Sequence, residues 1–325
     1  MRAALMATAL AILGGPVVAD AGEPNEQSAP NDSALATLPP LIAYALELDH
    51  PDSKAQFAAL ANLHATQFEM ARHPPPPDNE CAHTLGASRF ADQYAELGAL
   101  QFSLGDYEAA IKANESALAC LPRDASFYTS IASANLSLGH IADARAAIER
   151  AAAINPDNRG VQDVRARVDF VQERWADATA RFRLASLSPE SDELADYHRC
   201  FFWLAQRRAG VLHPEPPPSP SEKEERKKHW PDPILDLFKG EITEAALVRG
   251  IRDNATGSKQ REQVTEALYY VGELRLAEGD VETARKHFAS VVNLRVLNFV
   301  EFGMARAELA RMRERAADAA RRDQY

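Results

Sequence analysis

From Ala91 onward, apolar and small residues fall at helical spacing within a frame that recurs every 34 residues. Residues 91–124 read ADQYAELGALQFSLGDYEAAIKANESALACLPRD, with Tyr94, Leu97, Gly98, Ala110, Asn114, Ala117 and Pro122 at frame positions 4, 7, 8, 20, 24, 27 and 32. The next 34 residues set Tyr128, Ile131, Ala132, Gly139, Ala144, Ile148, Ala151 and Pro156 in the same frame. A third copy from Arg159 keeps Ala166, Trp175, Ala178, Phe182 and Ala185, with Pro189 one place early. A fourth from Thr265 keeps Leu268, Val271, Gly272, Gly279, Ala284, Phe288 and Val291. Each copy predicts two antiparallel helices. Small residues such as Gly98, Ala110 and Ala117 let the pair approach closely, and large ones such as Tyr94, Leu97, Ile148 and Phe288 fill the space between copies. Gly105, Gly139 and Gly279 sit where the first helix must end and turn, a conformation glycine adopts at little cost.

Outside the frame the same pattern predicts further helices. Residues 41–48 and 54–71 read as two, the second carrying Phe57, Leu60, Leu63, Phe68 and Met70, with Asp52 and Ser53 to cap its start. His73 and four prolines then end it, because proline has no N–H to donate and restricts the residue before it. Residues 194–209 read as another first helix with Tyr197, Phe201, Phe202 and Leu204 as its stripe. A proline-rich linker at 213–220, a short charged helix at 221–229, and a divergent helix pair at 230–240 and 243–251 follow. Residues 299–312 predict a capping helix, polar on its outer side as a repeat-array end must be, and the charged residues from 316 a frayed tail.

The four copies closely resemble tetratricopeptide repeats. That resemblance implies an all-α, right-handed helical solenoid with divergent central repeats and a C-terminal capping helix. The segments HRCFFWLAQRRAG, HWPDPILDLFKGEIT, EALYYVGELRLAEGD and LNFVEFGMARAEL, in that order, further resemble the C-terminal half of the NlpI family of bacterial lipoproteins, over about residues 91–309. The family likeness implies a dimeric periplasmic adaptor that brings proteases and cell-wall hydrolases together and so influences envelope growth and division. The lipidated cysteine of that family has no counterpart here, since the first cysteine is Cys81.

The chain's start predicts export. Met1 and Arg2 give a positive beginning, an apolar run follows to Leu13, and small residues suit cleavage after Ala19 or Ala21. The run is shorter than the roughly 20 residues a bilayer span needs. The expected layout is therefore a signal peptide at 1–21, a polar tether at 22–40, and a helical segment at 41–90. Three repeats at 91–192, divergent repeats at 193–264, a last repeat with its cap at 265–312 and a tail at 313–325 complete it. The 325 residues carry a formal charge of −11, which argues against a nucleic-acid partner. Apolar residues make up 46% but aromatics only 7%, a mix that suits close-packed helices over a β-sandwich.

No motif for catalysis stands out: there is no Gly-x-Ser-x-Gly elbow, phosphate loop or His-Glu-x-x-His. The expectation is a non-enzyme without cofactor or metal, because Cys81, His83 and His73 match no strong ligand spacing. Cys120 and Cys200 read as buried packing residues, and Cys81 as the candidate for a free thiol or an intermolecular bridge. By the tetratricopeptide resemblance, first-helix positions 2, 5, 9, 12 and 13 line the concave face. These include Phe102, Ser103, Thr129, Ser133, Asp163, Arg167 and Phe170. Ala95 and Ala99 stand where a clamp for C-terminal carboxylates would need polar groups. The expected partner is thus an extended or helical peptide segment of another envelope protein. Two other roles stay open: a subunit of a larger secretion or outer-membrane assembly complex, and an enzyme with scattered site residues. The stripe at Phe57, Leu60, Leu63 and Phe68 predicts a homodimer through the N-terminal segment.

Overall fold

The computed structural model describes residues 38–48, 53–72, 78–83, 85–187, 192–216 and 229–322. Pro39–Tyr325 forms one compact unit. The expected signal peptide and most of the tether lie outside the described residues. So do the prolines at 74–77, His73, the end of the proline-rich linker and the charged stretch at 221–228.

The described residues are helices joined by turns, with no strand among them. Three helices precede the repeats: α1 (Pro40–Glu47), α2 (Ser53–Arg72) and the single turn α3 (Asp78–Cys81). The three contiguous repeats are α4 (Ala87–Ser103) with α5 (Tyr107–Cys120), α6 (Ala125–Leu138) with α7 (Ile141–Ile154), and α8 (Arg159–Val171) with α9 (Trp175–Ser186). Then come α10 (Asp192–Arg208), α11 (Asp232–Phe238), α12 (Glu244–Asn254), the last repeat α13 (Gly257–Ala277) with α14 (Val281–Leu294), and α15 (Val300–Arg322). Helices adjacent in sequence pack as neighbours, giving an all-α tetratricopeptide-repeat solenoid.

Local chemistry explains the repeat unit. Asp106, Asn158 and Asp280 each cap the following helix by accepting a backbone N–H at 3.1 Å. Gly105, Gly139 and Gly279 take positive φ of 81°, 80° and 84° at frame position 15. In the third repeat that place is held by Glu173 at φ 58°, a left-handed conformation that costs a non-glycine residue about 1–3 kcal/mol. At Gly98 a Cβ would lie 2.5 Å from Asn114 Nδ2, and at Gly272 it would lie 2.7 Å from the Phe288 ring. Small residues at position 8 are therefore what sets the helix-pair spacing. Between the second and third repeats, buried Asp169 accepts from Arg145 at 2.5 Å and from Arg181 at 2.8 Å.

Three features depart from expectation. First, Cys81 is not a spare thiol. It is buried and bonded to Cys120, with 4.6 Å between Cα atoms, and Cys200 is the buried free cysteine. Both half-cystines sit in one apolar cluster with Ala91, Ala117 and Phe127, so the bridge fastens α3 to α5. Second, α15 is longer than the predicted cap and runs to Arg322, since its Ala-, Arg- and Glu-rich end has high helix propensity. Third, α15 does not simply close the array's end. It lies back across α6 and α8 as well as against α13 and α14. A Cβ on Gly303 would come within 3.1 Å of Ser137 Cα, and Arg311 Nη1 donates to the Val171 carbonyl at 3.2 Å. The first half of α15 is accordingly buried through Phe302, Met304, Ala305 and Ala307.

The N-terminal helices divide. Buried Leu41, Ile42, Tyr44 and Ala45 seat α1 on α12, α13 and α14, where Leu41 N–H donates to Glu244 Oε1 at 3.0 Å. Helix α2 packs on α4, leaving Leu60 exposed and Leu63 half-buried; the side chains of Phe57 and Phe68 lie outside the described residues.

Candidate functional site

The first helices of the three contiguous repeats and the segment at 298–304 enclose a groove. Its larger chamber, of about 460 Å³, is floored by Gly98, Ala99, Ala110, Thr129 and Ser133, with Phe102 and Ser103 at one end and Arg167 at the other. Asn298, Phe299, Gly303 and Met304 form the opposite wall. A second chamber of about 240 Å³ shares Arg167, Asn298, Phe299 and Val300 with the first and adds Asp163, Tyr197, His198, Glu266 and Glu301. Small residues at position 9 of the first two repeats, Ala99 and Ser133, leave this space, because their side chains do not reach across it.

Six of the seven residues singled out from the sequence line these two chambers: Phe102, Ser103, Thr129, Ser133, Asp163 and Arg167. Phe170 does not. It is fully buried, with its ring edge-on to Trp175 at 5.2 Å and Phe201 at 5.6 Å. Frame position 12 opens on the groove at Phe102, but at Phe170 the neighbouring α10 covers it with Phe201. Phe102 itself is half-buried and edge-on to Tyr107 at 5.1 Å.

Hydroxyls on the floor bond within their own helices: Thr129 Oγ1 donates to the Ala125 carbonyl at 2.8 Å and Ser103 Oγ to Ala99 at 2.9 Å. The charged centre is Asp163. It accepts from Arg167 Nη2 and lies 3.0 Å from His198 Nε2. Burial alone would raise its pKa, but the Arg167 charge and the His198 hydrogen bond outweigh that and hold it down at about 2. Sequence reasoning found the Asp163–Arg167 pair but missed His198, Tyr197, Glu266 and Glu301, which come from α10, α13 and α15. The charged positions inside the stripes of those helices were the available signal.

Among the described residues, no group of His, Cys, Asp and Glu is placed to hold a metal, and no helix is long and apolar enough to cross a membrane. The larger chamber offers an apolar trough, a paired guanidinium and short hydroxyl side chains.

The tetratricopeptide repeat family model matches residues 125–158, which are the second repeat, α6 and α7. Such repeats mediate protein–protein interaction, so the fold carries an adaptor or scaffold role at that level.

Proposed function

We propose that this chain is a non-catalytic adaptor of the bacterial envelope, exported and unlipidated, that gathers other envelope proteins by taking their extended segments into the groove between α4, α6, α8 and residues 298–304. Its partners in this reading are proteases and cell-wall hydrolases, as in the NlpI-like adaptors it resembles, and it works as a homodimer. The observation that carries the reading is the groove itself, open beside Phe102, Thr129 and Ser133 and ending at the Asp163–Arg167 pair. The Cys81–Cys120 bridge supports export, because disulfides persist in oxidising compartments and are rare in the cytosol.

The test places a photo-crosslinking residue at Ser133 and compares capture from envelope extract with and without Arg167→Ala. The Asp163–Arg167 pair is only partly exposed, and Asp163 keeps His198 at 3.0 Å as a partner when an incoming carboxylate takes Arg167. Crosslinks at Ser133, with capture weakened about tenfold by Arg167→Ala, support the groove. Equal capture by both proteins and no crosslink at Ser133 would remove it as the binding surface.

A further inference from the structure

Helices α13 and α15 bury four carboxylates against each other. Glu266 and Glu273 lie 7 residues apart on α13, and Glu301 and Glu308 lie 7 apart on α15, so each helix presents them on one face. All four are buried. Glu266 and Glu301 line one chamber, and Tyr270, four residues after Glu266, bonds Glu301; Glu273 and Glu308 are linked through the ion pairs of Arg208, Glu173 and Arg311.

The two pairs differ in their surroundings. Glu273 and Glu308 have guanidinium groups at hand: Arg208 of α10 donates to Glu273, and Arg311 of α15 to Glu308. Glu173, from the turn after α8, joins them by pairing with Arg208, Arg311 and Arg315, and Tyr269 of α13 stands alongside. Among the described residues, no cation bonds Glu266 or Glu301; His229 and Lys259 share a cavity wall with Glu266, and the Asp163 charge acts on Glu301. Glu266 accepts from the Tyr197 hydroxyl of α10 at 2.9 Å and from the Trp230 indole N–H, with Glu262 of α13 near. Glu301 accepts from the Tyr270 hydroxyl of α13 at 3.2 Å. Arg167 of α8 is the cation that acts on Glu301 across space, and it is already committed to Asp163. Glu266 and Glu301 also line the smaller chamber, so water has a route to them.

We propose that α15 is a proton-held clasp on the concave face: it seats while the Glu266–Glu301 pair keeps a proton, and its first turns, with the wall at 298–304, release when both carboxylates ionise. Two buried like charges with one distant, engaged guanidinium repel within a low-dielectric contact. The helix that can move is α15, because residues 313–322 at its far end are exposed, while α13 is buried from 263 to 274 and packed against α10, α14 and α1 as well. Burial first, and then the partner's charge, pushes Glu266 up to about 8; burial likewise raises Glu301. Release therefore belongs to the mildly alkaline range and closure to neutral and acid conditions. Opening would widen both chambers at once, since 298–300 belong to each. That consequence rests on the groove reading; the clasp does not.

Hydrogen exchange on the full chain, without ligand, tests it. Amides of 300–304 are followed at about pH 6 and about pH 9 after correction for the intrinsic effect of pH on exchange. We expect protection there to fall about tenfold or more at the higher pH, and the Glu266→Gln/Glu301→Gln variant to keep it. Unchanged protection in the parent, or an equal fall in the double variant, overturns the clasp. Should the double variant not fold, infrared spectra of the parent and of Glu266→Gln decide: a protonated carboxyl band that disappears around pH 8 in the parent and is missing from the variant supports the clasp, whereas no band, or the same band in both, as Glu308 alone would give, refutes it. Failure of crosslinking at Ser133 would sink the groove and leave this result untouched.

Discussion

Reducing the Cys81–Cys120 bridge should destabilise the first repeat selectively. The bridge spans 39 residues, including all of α4 and α5. Closing a loop of that length removes unfolded-chain entropy equivalent to about 4 kcal/mol at room temperature in the chain-entropy account. That is a large part of the 5–15 kcal/mol typical of a whole domain. In a repeat array each unit contacts mainly its neighbours, so the loss is local and shows as early unzipping of the N-terminal end. The bridge is also buried among Ala91, Ala117 and Phe127, and reduction leaves two thiols there without opening a cavity. The entropic term is therefore most of the effect. The assay is urea unfolding of the reduced protein, kept in reductant, beside the oxidised parent, followed by helical circular dichroism and by exchange of α4 and α5 amides. A first transition shifted to lower urea, with α13 and α14 protection unchanged, is the expected result. A single unshifted transition would mean that the bridge does not constrain the fold and that its use as support for export fails.

Two further outcomes follow from the same contacts. Phe170→Ala should cost about 3–5 kcal/mol and lower the melting temperature, because it empties a closed site between Trp175, Phe182 and Phe201; a variant melting like the parent would place the ring outside the core. Asp163, held at about 2 in the fold against 3.8 unperturbed, contributes stability that is fully present above pH 3.8 and lost as the pH falls toward 2. Asp163→Asn should flatten that acid limb by roughly 2 kcal/mol, and parallel acid-unfolding curves for the two proteins would refute the assignment.

How much could be read in advance depended on how local the cause was. Gly105, Gly139 and Gly279 were legible as turns because each needs only its own positive φ. Gly98 was legible as a contact because its partners Ala110 and Asn114 lie in the same 34-residue copy. Thr129, Ser133 and Arg167 line the groove because their positions depend on the first helix alone. Phe170 was misplaced because its cover, Phe201, belongs to α10, outside the copy. The spacing of three cysteines does not reveal which two meet. The path of α15 was not legible either. An amphipathic helix states that one face is buried, not which surface buries it.

The return of α15 also narrows what the proposed groove can hold. A helix about 10 Å wide with a 5.4 Å pitch occupies on the order of 420 Å³ per turn. The larger chamber, at about 460 Å³, has room for one such turn. Recognition of a helix in a groove draws on anchors at i, i+3, i+4 and i+7, which need two turns. With α15 seated, the occupant we propose is therefore a short extended segment, with an apolar side chain beside Phe102 and a polar group toward Arg167. The chamber's small floor residues favour that form, because Gly98, Ala99 and Ala110 leave space for a backbone to approach rather than for long side chains to interdigitate. If the clasp opens in mild alkali, the wall at 298–304 withdraws and the limit on length is lifted. Groove and clasp are then linked by a sign: peptides of three or four residues should bind equally at about pH 6 and about pH 9, whereas longer helical ones should gain at the higher pH. A longer peptide that binds best at the lower pH would contradict that coupling, whatever its affinity.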